Sequence, residues 1–326
     1  MKFSKVALGG VSLLAAGALI ATAVTASQAK PISVQFLMSA EMLEQQAFAG
    51  TYVTGGATST INGSVLAGTY VTTGVSAAIK GSANAGTATT LGASSTVASN
   101  VRSGTATTLG AGAAVTGSVT SGTDTTFGEE ATSGGNQSGI ANSNVTAIAS
   151  GQEEVLKAQE FLGLFGAGTT IVPGNIAADT TFTAGTYGVA GLLTVAANTV
   201  ITLDANHQNS EFVFNISSYL TFGEGVTINV INDEKDGKKV HVSVIWNATG
   251  GYVSLGAGAN IIGTILAKGY VSTGALSTLS GAPGNICGGA IYSATSYISI
   301  GAGATVGAGV GCITPPPYVA PVIPKG

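Results

Sequence analysis

The chain has 326 residues, a formal net charge of −4, 8% charged and 6% aromatic side chains, and 49 glycines. So few cations leave no basic patch to hold nucleic acid or an anionic membrane. Beyond the amino-terminal stretch no apolar run approaches the length that spans a bilayer, so the apolar content, mostly Ala, Val and Ile, is shared among short segments.

At the amino terminus Lys2 and Lys5 precede an apolar run from Val6 to Ala26, and Ser27-Gln28-Ala29 fits a small-x-small cleavage site. That is the pattern of a secretory signal peptide over 1–29. The run is also long enough to stay as an uncleaved anchor; either way the mature chain is exported, to the medium or the cell surface. Residues 30–49 read as a short helix or lead-in without visible chemistry.

From Gly50 to Gly139 the chain repeats with a period of eighteen, opened by Gly50, Gly68, Gly86, Gly104 and Gly122. A repeat of this length means stacked supersecondary units. Its Gly, Thr, Ala and Val content, lack of Pro and alternating pattern predict short strands. Counted from each opening Gly, slot four (Val53, Val71, Thr89, Thr107, Thr125) and slot six (Leu91, Leu109, Phe127) face inward. Slot twelve (Ile61, Ile79, Val97, Val115) and slot sixteen (Val65, Ala83, Val101, Val119) add two more inward ladders. Three ladders in eighteen residues predict a triangular β-solenoid coil. Slot seven is always Gly (Gly56, Gly74, Gly92, Gly110, Gly128), as expected at a corner needing positive φ or close approach.

Slots two (Thr51, Thr69, Thr87, Thr105, Thr123) and five (Thr54, Thr72, Thr90, Thr108, Thr126) are Thr in every copy. Stacked coils place such residues in ranks about 4.8 Å apart. Thr is also a good strand former, so a rank can serve the sheet as well as a ligand.

Residues 140–168 interrupt the repeat. Ser150 before Gly151-Gln152-Glu153-Glu154 predicts a helix start with acidic first-turn residues. Val155, Leu162 and Phe165, with Leu156 and Ala158 beside them, recur at helical spacing, and Gly166 and Gly168 end the helix. A lone helix of about four turns needs a wall to lie on, and that wall is closed to ligand. Over 169–313 strand texture returns, interrupted by a charged stretch around Asp233 to Lys239 that reads as a solvated turn. The eighteen-residue frame reappears at Gly251 and Gly269. Tyr252, Tyr270 and Tyr297 then take the third slot, as Tyr52 and Tyr70 do earlier, and Ser254, Ser272 and Ser299 take the fifth. Such pairs stack well if the first and last coils are neighbours. Residues 314–326 form a Pro-rich tail.

The stretches Phe182 to Tyr187, Leu193-Thr194-Val195, Val200 to Asp204, Phe212 to Ile216 with Leu220-Thr221, Val244-Ile245-Trp246, Gly263 to Ala267 and Ser296 to Val306 resemble the microbial ice-binding proteins. The resemblance covers roughly 170–313. It implies an all-β fold with one α-helix, a right-handed triangular β-solenoid of about eighteen residues per coil flanked by a single long helix, with the first coil beside the last. It also implies a flat Thr/Ser/Ala-rich face that meets ice, with no cofactor. Some members carry T-A/G-x-T/N there; Thr87-Ala88-Thr89-Thr90 and Thr105-Ala106-Thr107-Thr108 fit, and Thr123-Asp124-Thr125-Thr126 departs at Asp124. The expected ice-contacting residues are Thr51, Thr54, Thr69, Thr72, Thr87, Ala88, Thr90, Thr105, Ala106, Thr108, Thr123, Thr126, Ser254, Ser272 and Ser299. The regular amino-terminal coils and the slot-three Tyr residues depart from the family, and the Tyr side chains roughen the face.

No constellation points to an enzyme. His207 and His241 stand in unrelated contexts, which gives no metal site. Glu129-Glu130 and Glu153-Glu154 are adjacent pairs with diverging side chains, and Asp179, Asp204 and Glu224 are isolated, whereas polysaccharide cleavage needs converging carboxylates. Cys287 and Cys312 suggest a disulfide tying down the final coils, or else two buried thiols. Asn62, Asn136, Asn144, Asn215 and Asn247 open N-x-S/T sequons. The alternative to ice binding is a cell-surface adhesin or a self-assembling filament subunit, stacked through open solenoid edges.

Overall fold

A computed structural model describes residues 38–140, 144–164, 170–282 and 289–308. The leader, the Pro-rich tail, Phe165, Gly166, Gly168, Cys287 and Cys312 lie outside the described residues.

Each coil makes three short strands because apolar residues alternate with Thr, Ser and Ala between glycine corners. Strands from slots four to six stack into an eleven-stranded parallel sheet, here the front wall. Slots eleven to twelve form the side wall and slots fifteen to eighteen the helix wall, both parts of a single 21-stranded sheet. Val53 pairs with Val71, Thr60 with Ala78 and Val65 with Ala83, each one coil apart. The inward ladders at slots twelve and sixteen are buried throughout. The last regular coil is the exception among the inward residues: Phe127 is 39% exposed and Thr125 half-buried, because no further strand of the front sheet covers them.

The chain path is discontinuous. Regular coils run from the middle of the stack to one end, helix α2 (Asn144–Leu164) follows, and the later coils climb back until the last lies against the first. Ala47 pairs with Ile291, Val53 with Ile298 and Thr60 with Thr305, so all three walls cross this seam without a break. A helix of 21 residues reaches about 31 Å, or some six strand spacings.

Helix α2 is longer than the sequence predicts. It begins at Asn144, so Ser150 is not its cap but donates to Glu154 Oε1 at 3.2 Å. Gly151, read as part of a helix start, sits inside the helix, where a Cβ would lie 2.7 Å from Met42 Sδ and 2.8 Å from Phe48 Cε2. The glycine lets the helix press onto the segment carrying α1 (Ala40–Leu43) and the strand Gln45–Ala49. Val155, Ala158 and Leu162 are buried against Leu66, Val213, Ile245 and Leu266, whereas Leu156 points to solvent. The strands beneath are covered on both faces, which is why Val242–Ala248 and Thr264–Ala267 are buried throughout.

Two sequon asparagines hold the helix down. Asn247 Nδ2 donates to Gln159 O at 3.2 Å and to Asn215 Oδ1 at 2.8 Å, while Asn215 Nδ2 donates to Leu162 O at 2.9 Å. Gln159 Nε2 returns bonds to Ala248 O at 3.0 Å and Leu266 O at 3.3 Å.

The slot-seven glycines serve close approach and not positive φ. A Cβ on Gly74 would lie 2.5 Å from Ala57 N, and one on Gly92 2.5 Å from Gly74 O. Positive φ falls two residues later, at Thr58, Ser76, Ser94, Gly112 and Glu130. Gly92→Ala is therefore expected to lower unfolding free energy by about 1–3 kcal/mol or more, since only backbone surrounds the new methyl. Gly135→Ala, whose Cβ would find Ser118 Cβ at 3.7 Å, should be nearly neutral in the same denaturation series.

Tyr292 generates a second expectation. Fully buried, it donates to Met42 O at 3.3 Å and Gln45 O at 3.2 Å, and desolvation, with Glu154 a smaller contribution, pushes its phenol well above the ordinary tyrosine range. The folded chain keeps this proton where the unfolded chain, at about pH 10, releases it. The unfolded state then binds fewer protons, so stability falls as pH rises through that range. Denaturant titrations at alkaline pH should show this fall, and Tyr292→Phe should flatten it.

Candidate functional site

Alternation along the front-wall strands sends slots four and six into the core and slot five to solvent. Register then links the slot-five residues of every coil into one file. It runs Thr126, Thr108, Thr90, Thr72, Thr54, Ser299, Ser272, Ser254, Thr221, Thr194 and Asn175. Ten hydroxyls and a terminal amide stand at about 4.8 Å intervals over about 48 Å. The seam between Thr54 and Ser299 leaves the file unbroken.

All the slot-five residues expected from sequence lie in this file. Thr194, Thr221 and Asn175 were not anticipated, because coils of unequal length separate them and no fixed period reaches them. The local signal is the apolar-Thr-apolar triplet: Leu193-Thr194-Val195 and Leu220-Thr221-Phe222 repeat the pattern of Val71-Thr72-Thr73 and Thr89-Thr90-Leu91 in alternating burial.

Slots two and five do different work. At slot two the backbone of Thr69, Thr87, Thr105 and Thr123 donates to the Thr one coil earlier at 2.5 to 2.9 Å. The hydroxyls of Thr69 and Thr105 donate to Thr51 O at 3.1 Å and Thr87 O at 3.0 Å. These hydroxyls are spent on holding the corner. Along the slot-five file the one side-chain hydrogen bond among the described residues is Ser272 to Ser254, at 3.3 Å. The remaining hydroxyls are left for solvent.

Slot three carries the tyrosines. Tyr219, Tyr252, Tyr270, Tyr297 and Tyr52 stack in that order with ring centroids 4.9, 4.8, 5.0 and 4.8 Å apart and planes within 6° of parallel. Burial, with Tyr252 and Tyr297 on either side, raises the Tyr270 phenol above its ordinary value. In the regular coils Tyr70 pairs with Ala88, and Ala106 and Asp124 occupy the slot beyond. Asp124 is the only Asp, Glu, Lys or Arg in slots three to six of the wall.

The floor of the wall is fixed from inside. Thr89, Ser103, Thr107, Ser121 and Thr125 join in a zigzag of hydroxyl contacts of 2.8 to 2.9 Å beneath the strands. Where slot four is Val53 or Val71, slot eighteen of the same coil is Ala67 or Ala85; where it is Thr89 or Thr107, slot eighteen is Ser103 or Ser121, and Thr125 shares Ser121 of the coil before. Each buried hydroxyl thus has a partner, which removes the cost of an orphan.

No cluster of three His, Cys, Asp or Glu that could hold a metal exists among the described residues. His207 Nδ1 lies 2.6 Å from Glu234 O, beside the exposed hairpin of Glu234–Lys235 and Lys238–Lys239. Asp179 Oδ1 accepts from Val200 N and Asp204 Oδ1 from Asn206 N, at 2.8 and 2.9 Å, so the first joins neighbouring coils and the second serves a turn.

The division between slots is testable by stability alone. Thr69→Val should cost about 0.5–1.5 kcal/mol in chemical denaturation through its lost bond to Thr51 O, and Thr90→Val should change stability by less than about 0.5 kcal/mol.

A family model described as ice-binding-like matches residues 137–304. The regular coils before residue 137 lie outside that match. No curated protein matches the chain. Among solved structures, the ice-binding protein of the Antarctic ascomycete Antarctomyces psychrotrophicus is 17% identical, with 82% of this chain and 95% of that one covered and a TM-score of 0.44. An ice-binding protein from an Antarctic biological consortium is 16% identical, with 86% and 93% covered and a TM-score of 0.49. A glycosylated ice-binding protein from an Arctic yeast is 14% identical, with 86% and 96% covered and a TM-score of 0.47.

Proposed function

The chain belongs to the ice-binding-like family and its function is ice binding; we propose that, exported by its leader, it meets the crystal through the outer face of the front wall. The observation that carries this assignment of the face is the unbroken slot-five file, whose hydroxyls are mostly unspent within the protein. Water ordered by a rigid array of hydroxyls and methyls can merge with a crystal surface, whereas charged groups keep their own hydration shells. A wall whose strands hold one carboxylate and no cation suits that demand. Its residues are fixed by backbone register and the buried hydroxyl chain, so little conformational entropy is lost on adsorption. The helix wall is covered where α2 lies on it, and in the regular coils, where it is open, it presents the exposed cation Arg102.

The filament alternative finds no support. The terminal coil of the regular series carries exposed Asp124, Glu129 and Glu130, charges of the kind that discourage edge-to-edge pairing. The Pro-rich tail and the sequence leader remain compatible with export to the medium or to the cell surface.

The test uses residues 30–326 in thermal hysteresis and ice recrystallisation assays. The unaltered chain should be active, and Thr90→Tyr with Thr108→Tyr should reduce activity at least tenfold while far-UV circular dichroism stays unchanged. Full activity in that variant would move the contact to another wall.

A further inference from the structure

The front face is not level. Thr90, Thr108 and Thr126 are exposed, whereas Thr54, Thr72 and the file from Ser299 to Thr194 are only half-exposed. The change follows slot three, which holds Tyr70, Tyr52, the stacked tyrosines and, beside Thr194, Leu192 on one side and Ala88, Ala106 and Asp124 on the other. A phenol ring stands taller than a threonine and shades the hydroxyls beside it; Tyr52 and Tyr70 themselves are 37% and 50% exposed. A rigid crystal plane cannot rest on both levels at once.

Resting on the assignment of the front wall, we propose that ice docks on the low terrace built by the coils opened at Gly86 and Gly104, and that the slot-three residue determines where docking stops. The low terrace is two-dimensional. Thr87, Ala88, Thr90 and Thr105, Ala106, Thr108 set slots two, three and five side by side, so the methyls of slots two and three flank the unspent hydroxyls of slot five. The tyrosine ridge offers one line of phenol oxygens, each on a longer side chain than the β-branched threonine, whose χ1 is stiff. The low terrace lies wholly before residue 137, where the family match begins. Docking is thereby assigned to coils outside the segment that the family model matches.

Two variants of the 30–326 chain decide the matter. Ala88→Tyr with Ala106→Tyr continues the ridge across the low terrace, using the residue that the neighbouring coils already carry in that slot. The expected result is at least a tenfold loss of recrystallisation inhibition with no fall in melting temperature. Should the ridge extension lower the melting temperature, Ala88→Lys repeats the test without any stacking requirement. Tyr252→Ala with Tyr270→Ala lowers the ridge and should leave activity equal or raised. Retained activity in the extended-ridge variant, or loss of activity in the lowered-ridge variant while it stays folded, overturns the proposal. An unaltered chain without activity overturns the reading of the whole face, which separates that failure from this one.

Discussion

How closely one coil lies on the next governs the rest of this molecule. Parallel pairing sets the strand spacing, but the corners must also nest, and at slot seven they do so with backbone against backbone at distances that leave no room for a Cβ. Every rank described above is a consequence. Hydroxyls fall into file, tyrosines stack face to face and inward valines form continuous ladders because each coil repeats the path of its neighbour with little lateral drift. The surface proposed to meet ice is a by-product of the rule that packs the core.

Much of this was legible in the residues because the regular coils hold one period. The inward slots, the outward Thr slots and the contact between first and last coils follow from spacing and from the shared Tyr-x-Thr/Ser pattern. Legibility ended where a tertiary neighbour overrode a local signal. Gly151 looks like a helix boundary until Phe48 and Met42 are seen pressing on it, and Phe127 looks like a core residue until its coil proves terminal. The corner glycines were assigned two possible reasons, of which close approach holds, with the left-handed residue displaced to slot nine. Thr194 and Thr221 stayed hidden because coil length varies in the second half while register in space does not.

The interior changes character along its length. The amino-terminal coils trade Val and Ala for Thr and Ser and so bury a chain of paired hydroxyls. Several of the later coils are longer and fill with aromatics: Tyr187, Phe214 and Trp246 stack at 5.0 and 4.2 Å, and Trp246 Nε1 donates to Ile262 O at 2.9 Å. Both solutions hold the front-wall strands in register, the first through small, mutually satisfied side chains and the second through volume. Under the helix, Asn215, Asn247 and Gln159 solve a third problem, anchoring a helix by its own carbonyls where apolar contact alone leaves its position along the wall free.

The seam between first and last coils also orders events in time. Within the regular series each strand finds a partner eighteen residues away, as Thr51 and Thr69 do, so those coils can zip together as soon as they are made. The seam pairs Val53 with Ile298, and it cannot close until nearly the whole chain is available. Local pairing is fast and distant pairing slow, so closure comes late. Until then the strand Gln45–Ala49 shows a bare edge of the kind that invites foreign strands. A chain that enters its stack from the middle thus gains a continuous face across two separately built halves, at the cost of a period of exposure that lasts until its final coil arrives.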